Sequence, residues 1–156
     1  MPDRARKSKG KEGKKTAYDD LKWAAEERIR EFSILSAAQP PCYAGAAHAG
    51  RLAVELLLKC AICRRLDKNE LHSIFYHHDL DELLYFTGLK DRMFADEDRK
   101  IAFERLDSYD WNKLRYGGPF EFTKSSFATW ESWLNGKGDP VDHTKGLISW
   151  LKEQIP

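Results

Sequence analysis

The architecture of this protein depends on residues 41–66, which read PCYAGAAHAGRLAVELLLKCAICRRL. Alanine and leucine, both strong helix formers, dominate the segment, and proline is tolerated in the first turn of a helix. The pattern predicts one helix from about Pro41 to Leu66, roughly 39 Å long. Apolar residues cover most of its circumference, which predicts that this helix lies at the centre of the molecule.

One polar line interrupts the apolar surface of the predicted helix. It runs through His48, Arg51, Glu55 and Lys59, spaced three, four and four residues apart, so that the side chains share one face. Glu55 precedes Lys59 by four residues, the order that favours an ion pair along a helix. Two interpretations stay open: the line is the solvent-exposed stripe of a helical bundle, or it faces a ligand or partner.

The remainder of the chain predicts further helices. Apolar residues recur every three or four positions, and no segment shows the two-residue alternation of a half-buried strand. We therefore predict an all-α, up-and-down helical bundle of about five to six helices, without a sheet. The helices predicted beside the central one cover residues 17–39, about ten residues between an N-cap at His78 or Asp79 and a stop at Gly88, and residues 96–108, 124–134 and 142–155.

The charge distribution divides the chain into two parts. The 156 residues carry a net charge of +1, but residues 1–15 contain seven Lys or Arg against Asp3 and Glu12. Such a segment has too little apolar surface to offset the entropy lost on ordering. We predict a disordered basic tail over residues 1–16 and a single helical domain over residues 17–156. The tail either contacts nucleic-acid phosphates or simply remains solvated.

Composition also limits the setting in which the protein works. No apolar run reaches the roughly 20 residues that cross a bilayer, and the N-terminus lacks the apolar segment of a secretory signal. Three cysteines, an odd number, argue against a disulfide framework. We expect a cytoplasmic protein without a membrane partner.

A zinc site is the one metal centre that the sequence suggests. Cys60 and Cys63 precede His72 and His77, and two thiolates with two imidazoles complete a tetrahedral shell. The gap of eight residues between the pairs is shorter than in usual zinc motifs, and both cysteines fall inside the predicted central helix. We expect no metal and no cofactor.

The central helix and the residues after it resemble a HEPN domain (higher eukaryotes and prokaryotes nucleotide-binding). The likeness lies in the small residues that open the helix, the Glu55-to-Lys59 step and His78-Asp79-Leu80 at the start of a new helix, and it covers about residues 17–134. It implies a helical bundle, homodimerisation and association with RNA or nucleotides, often in bacterial toxin–antitoxin or antiviral systems. A nucleotidyltransferase-type or other defence-system protein is then the expected partner.

Catalytic HEPN domains carry an Arg, four to six further residues and then a His, late in the domain. An Arg stabilises developing phosphate charge while an imidazole transfers a proton, so no metal is needed. Here Arg115 lies in the matching late region, but no His follows it before His143. Arg65 and His72 have the spacing but lie earlier in the chain. The resemblance therefore implies a module that lacks the usual ribonuclease pair.

Three functions remain as hypotheses: an RNA- or nucleotide-associated module, a metal-independent endoribonuclease, and a protein-interaction subunit. The aromatic residues around Arg115 either stack on bases or pin a loop to the core. Trp130, Trp133 and Trp150 either pack two terminal helices together or form a dimer seam. The candidate RNA- or nucleotide-binding residues are Arg51, Glu55, Lys59, His78, Asp79 and Arg115. The candidate catalytic residues are Arg65, His72 and Arg115, with His77 and His78 as alternative imidazoles.

Overall fold

A computed structural model describes residues 15–108, 132, 134 and 146–155 of the chain. The described residues form six α-helices and one short 3-10 turn, and the prediction of an all-α helical bundle is confirmed. No helix in these ranges combines the length and the apolar composition needed to cross a membrane. The helices are α1 (Tyr18–Ala37), α2 (Tyr43–Arg65), α3 (Leu80–Thr87), α4 (Lys90–Phe94), α5 (Glu97–Ser108) and α6 (Leu147–Glu153), and the 3-10 turn is Ser73–Phe75.

Helix α2 occupies the centre of the core, as its composition predicts. Fourteen of its 23 residues are buried, and twelve of these are apolar residues or glycine. Helices α1, α3 and α6 all pack against α2. Helix α1 runs antiparallel to α2, because Leu35 contacts Gly45, Phe32 contacts Gly50, and Tyr18 lies under the guanidinium of Arg64. The two helices thus form the up-and-down pair on which the other elements pack.

Both long helices are slightly shorter than predicted. Helix α1 ends at Ala37 because the residue before a proline avoids helical torsion angles, which excludes Gln39. Helix α2 begins at Tyr43, with Cys42 as its N-cap, so the prediction that Pro41 occupies the first turn is wrong. The backbone N–H of Cys42 instead donates to the carbonyl of Leu35, which closes the turn between the helices.

The short helices follow their local signals where such signals exist. Of the two candidate caps, His78 and Asp79, it is Asp79 that caps α3, and Gly88 ends the helix in the left-handed region at φ 72°, as predicted. Helix α5 begins within one residue of its predicted start, with the Asp96 carboxylate accepting from the backbone N–H of Arg99. Helix α4 was not predicted, since five residues are too few to show helical periodicity.

The expectation that the chain contains no sheet is wrong, because two very short strands pair with each other. Thr16–Ala17 pairs antiparallel with Glu70–Leu71, with Thr16 opposite Leu71. The Lys15 ammonium also lies 2.8 Å from the Glu70 carboxylate. Two-residue strands are too short to produce alternation in the sequence. The folded part therefore includes Lys15 and Thr16, which the sequence assigned to the tail, while residues 1–14 lie outside the described residues.

The C-terminal helix closes the other side of the core. Trp150 of α6 is buried, and the Arg99 guanidinium stacks 4.8 Å from its ring centre. Leu147, Ile148 and Leu151 of the same helix are buried with it. For the three tryptophans the sequence left open helix packing or a dimer seam; Trp150 is a core residue, whereas Trp130 and Trp133 lie outside the described residues.

Replacing Gly50 by alanine tests the close approach of α1 to α2. A methyl group at Gly50 would lie 2.9 Å from Cδ1 of Leu134 and 3.0 Å from Cδ2 of Phe32, both of which are fully buried. We expect the crowding to outweigh the gain in helix propensity and to lower the free energy of unfolding by about 1–3 kcal/mol. Urea denaturation measures the change.

Gly45→Ala in the same helix is the matched control. Gly45 is exposed, and its added methyl group would meet only the flexible end of Leu35 at 3.2 Å. This variant should gain helix propensity with little crowding and match the native stability or exceed it. A Gly50→Ala protein as stable as Gly45→Ala would contradict the packing described here.

Candidate functional site

The polar line on α2 is not a solvent-exposed stripe. Glu55 is 3% exposed and Lys59 is 7% exposed, and they are the only buried charged residues in the described part of the chain. The side chain of Arg51, one turn before Glu55, is also mostly buried. The interpretation of this line as a solvated face is therefore wrong for Glu55 and Lys59. Because burying a charge is costly, these side chains require compensating partners within the protein.

The carboxylate of Glu55 accepts hydrogen bonds from three side chains. Its Oε1 accepts a hydrogen bond from Lys59 Nζ at 2.7 Å and from His78 Nδ1 at 2.9 Å, and its Oε2 accepts from Arg51 Nη1 at 3.1 Å. We call Arg51, Glu55, Lys59 and His78 the Glu55 cluster. One carboxylate against two permanent cations leaves the cluster with a net charge of +1, and protonation of His78 would add another.

These contacts join α2 to the start of α3. Arg51 Nη2 donates to the backbone carbonyl of His78 at 2.8 Å, while the His78 side chain reaches back to Glu55. The next residue, Asp79, accepts from the backbone N–H of Glu82 and so caps α3. Asp79 is therefore next to the cluster in sequence but not part of it. Its carboxylate, predicted to bind RNA or a nucleotide, caps a helix instead.

The surroundings of Glu55 keep it ionised. Burial alone would raise the pKa of this carboxyl group, but the hydrogen bonds and charges of Lys59 and His78 outweigh burial and hold the pKa below its usual value. A carboxylate can only accept hydrogen bonds, so His78 must donate through Nδ1–H. The opposite ring nitrogen, Nε2, is then available at the surface, since 77% of the His78 side chain is exposed.

An acidic cleft adjoins the cluster. It has a volume of about 660 Å³ and is lined by Asp79, Asp81, Glu82, Tyr85 and Asp107. Partial burial, together with repulsion from Asp79 and Asp81, raises the pKa of Asp107. The sequence gives no signal for this cleft, because Asp107 comes from α5, far along the chain from the start of α3. An anionic ligand of His78 would have to approach from the side away from these carboxylates.

Arg65 and His72 are engaged at different places. Arg65 Nη1 donates to the carbonyl of Phe86 at 2.9 Å, and its guanidinium lies against Gly88 at the end of α3. His72 caps the 3-10 turn, where its Nδ1 accepts from the backbone N–H of Ile74. Each side chain thus holds a different local element, and their matching sequence spacing does not produce a joint site. Arg115 lies outside the described residues.

His77 and the pair Cys60 and Cys63 have structural roles in the described part of the chain. His77 Nδ1 accepts from the backbone N–H of Asp79, near the α3 cap. Cys60 and Cys63 are buried within α2, and burial raises the pKa of Cys60 to about 12 and also raises that of Cys63. Zinc binding and redox chemistry both need thiolates, which this environment disfavours. Within the described ranges, no three His, Cys, Asp or Glu residues are placed to hold a metal ion.

Comparisons with known proteins give no match: no family model fits the chain, and neither a curated protein nor a solved structure is significantly similar to it. The resemblance to HEPN domains and the association with defence systems therefore stay predictions from the sequence.

Glu55→Gln tests whether the carboxylate charge holds the cluster together. The amide would leave Lys59 buried without a counter-charge, so we expect the free energy of unfolding at neutral pH to fall by about 3 kcal/mol. Because the folded-state pKa of Glu55 is lowered, its contribution is complete above the unfolded value of about 4.5 and disappears as pH falls through the folded value. Denaturation at several pH values measures this.

The exposed Glu104 of α5 provides the control for that experiment. Glu104→Gln should change stability by less than about 0.5 kcal/mol at every pH. The difference between the native protein and Glu55→Gln should shrink in acid. A difference that is absent at neutral pH, or that grows as pH falls below 4.5, would contradict the ionised cluster.

Proposed function

We propose that the protein is an RNA- or nucleotide-associated helical module whose Glu55 cluster contacts phosphate. The supporting observation is that the cluster carries a net positive charge and that buried hydrogen bonds hold its surface residue, His78, in place. His78 is exposed while its Nδ1 is fixed by Glu55, and Arg51 fixes its backbone. A ligand oxygen would therefore meet an imidazole that has already lost most of its rotational freedom.

The residues of the Glu55 cluster would have distinct roles in binding phosphate. In its protonated form His78 makes the direct contact, donating Nε2–H to a phosphate oxygen while Nδ1–H donates to Glu55, and the partly exposed edge of Arg51 supplies positive charge beside it. Glu55 and Lys59, both buried, position these groups without touching the ligand. The acidic cleft on the Asp79 side repels phosphate and limits the direction of approach.

Retention of labelled single-stranded RNA by the full chain tests this proposal. We expect His78→Ala to weaken retention about 10-fold, since a hydrogen bond to a charged group contributes about 1.5–3 kcal/mol. His72→Ala is the matched control, because His72 is equally a surface imidazole but only caps its own turn. Retention should fall with added salt.

Removal of residues 1–14 separates the body from the basic tail. Binding that survives this removal and still depends on His78 would support the proposal. Binding that disappears with the tail, or that is insensitive to His78→Ala, would contradict a phosphate site in the body and favour the protein-interaction hypothesis.

A metal-independent endoribonuclease is the second candidate function, favoured by the hydrogen bond between Glu55 and His78. A carboxylate that fixes one imidazole nitrogen leaves the other oriented to accept a proton. In such a reaction Nε2 would take the proton of a ribose 2′-hydroxyl as its oxygen attacks the adjacent phosphate. The leaving 5′-oxygen takes a proton from solvent water, His78 returns its proton to the solvent, and the product carries a 2′,3′-cyclic phosphate.

Incubation of the protein with single-stranded RNA in EDTA tests this second candidate. Cleavage that persists in EDTA and is lost in His78→Ala, but not in His72→Ala, would support it. RNA that stays intact at high protein concentration would exclude it, while leaving the binding proposal to be decided by the retention experiment.

A further inference from the structure

The outer face of α1 exposes two large apolar side chains. Trp23 is 66% exposed and Ile34 is 60% exposed, and both lie on the side of α1 that faces away from its buried residues. Between them lie Glu27 and Arg30, whose side chains form an ion pair at 2.8 Å. We call Trp23, Glu27, Arg30 and Ile34 the α1 outer face.

The spacing of this face is that of an interhelical seam. Its four residues follow each other at intervals of four, three and four, so they fall within about 60° of one another around the helix. The buried residues of α1 lie on the opposite side. Intervals of three and four are those of the a and d positions in a coiled coil, where one helix packs against another.

The face is also complementary to itself. It is symmetric about a point between residues 28 and 29: an apolar residue lies at each end, and an acid and a base lie at equal distances from the centre. If two copies of α1 pair antiparallel about a two-fold axis, Trp23 of each copy meets Ile34 of the other, and Glu27 meets Arg30. A parallel pair would instead place Glu27 against Glu27 and Arg30 against Arg30.

We propose that the α1 outer face is the surface through which two copies of this chain associate, with their α1 helices antiparallel. Two equivalent Glu27–Arg30 contacts and two Trp23–Ile34 contacts form across the axis, as an isologous interface requires. The proposal does not depend on the RNA-related function, since the α1 outer face shares no residue with the Glu55 cluster.

The size of the face determines the strength of the dimer. Trp23 to Ile34 spans about 17 Å along the helix, so the contact is smaller than a standard stable interface. We therefore expect association at high micromolar concentration rather than a permanent dimer. Sedimentation equilibrium of the full chain, up to a concentration of roughly 1 mM, covers this range.

Charge reversal with mixing tests the proposed pairing directly. Glu27→Arg alone places like charges opposite each other across the axis, as does Arg30→Glu alone, and each variant should dimerise at least about 10-fold more weakly than the native chain. Mixing the two variants restores opposite charges at both contacts. We expect the mixture to form a heterodimer with an affinity within about threefold of the native dimer.

Circular dichroism and thermal unfolding of each variant show that the exposed substitutions leave the fold intact. The mixing result is independent of that control, because both variants lose the same ion pair within their own helix and only the contact between copies is restored. A native chain that stays monomeric at every concentration would overturn the proposal. A dimer that is insensitive to the single reversals, or a mixture that is not rescued, would also overturn it.

Discussion

The buried carboxylate of Glu55 is the constraint around which the central helix is arranged. It lies on a helix that is otherwise apolar on almost every side, so its charge must be compensated within the protein. Lys59 provides the nearest compensation from the same helix, and Arg51 and His78 complete it. His78 lies two residues before the start of α3. The hydrogen bond from His78 to the Glu55 carboxylate therefore also holds the start of α3 against α2.

The core elsewhere follows from the small residues of α2. Gly50 lets Phe32 of α1 and Leu134 approach the helix backbone, and the alanines around it keep the two long helices close. This close approach buries α1 on one side only and leaves its opposite side with exposed Trp23 and Ile34. The same packing that makes α2 central thus creates the surface on which a second copy would associate.

Periodicity and turn residues were sufficient to predict the helical class, the central place of α2, the start of α3 at His78 or Asp79 and its stop at Gly88. The sequence also placed Arg51, Glu55 and Lys59 on one face, since helical spacing alone determines that. It could not decide whether the face is exposed, because burial depends on which element packs over it. The two-residue strand pair, helix α4 and the acidic cleft with Asp107 were missed, since they arise from contacts between distant segments or from elements too short for a pattern.

The central claim is that Glu55 and Lys59 stabilise the protein as a coupled pair. A double-mutant cycle with Glu55→Gln, Lys59→Met and the combined variant measures that coupling directly, with unfolding in urea at neutral pH as the readout. Each single substitution leaves a buried group without its partner, whereas the double variant removes both. We expect a coupling free energy of at least about 2 kcal/mol, with the double variant less destabilised than the sum of the singles. Additivity within about 0.5 kcal/mol would contradict the account.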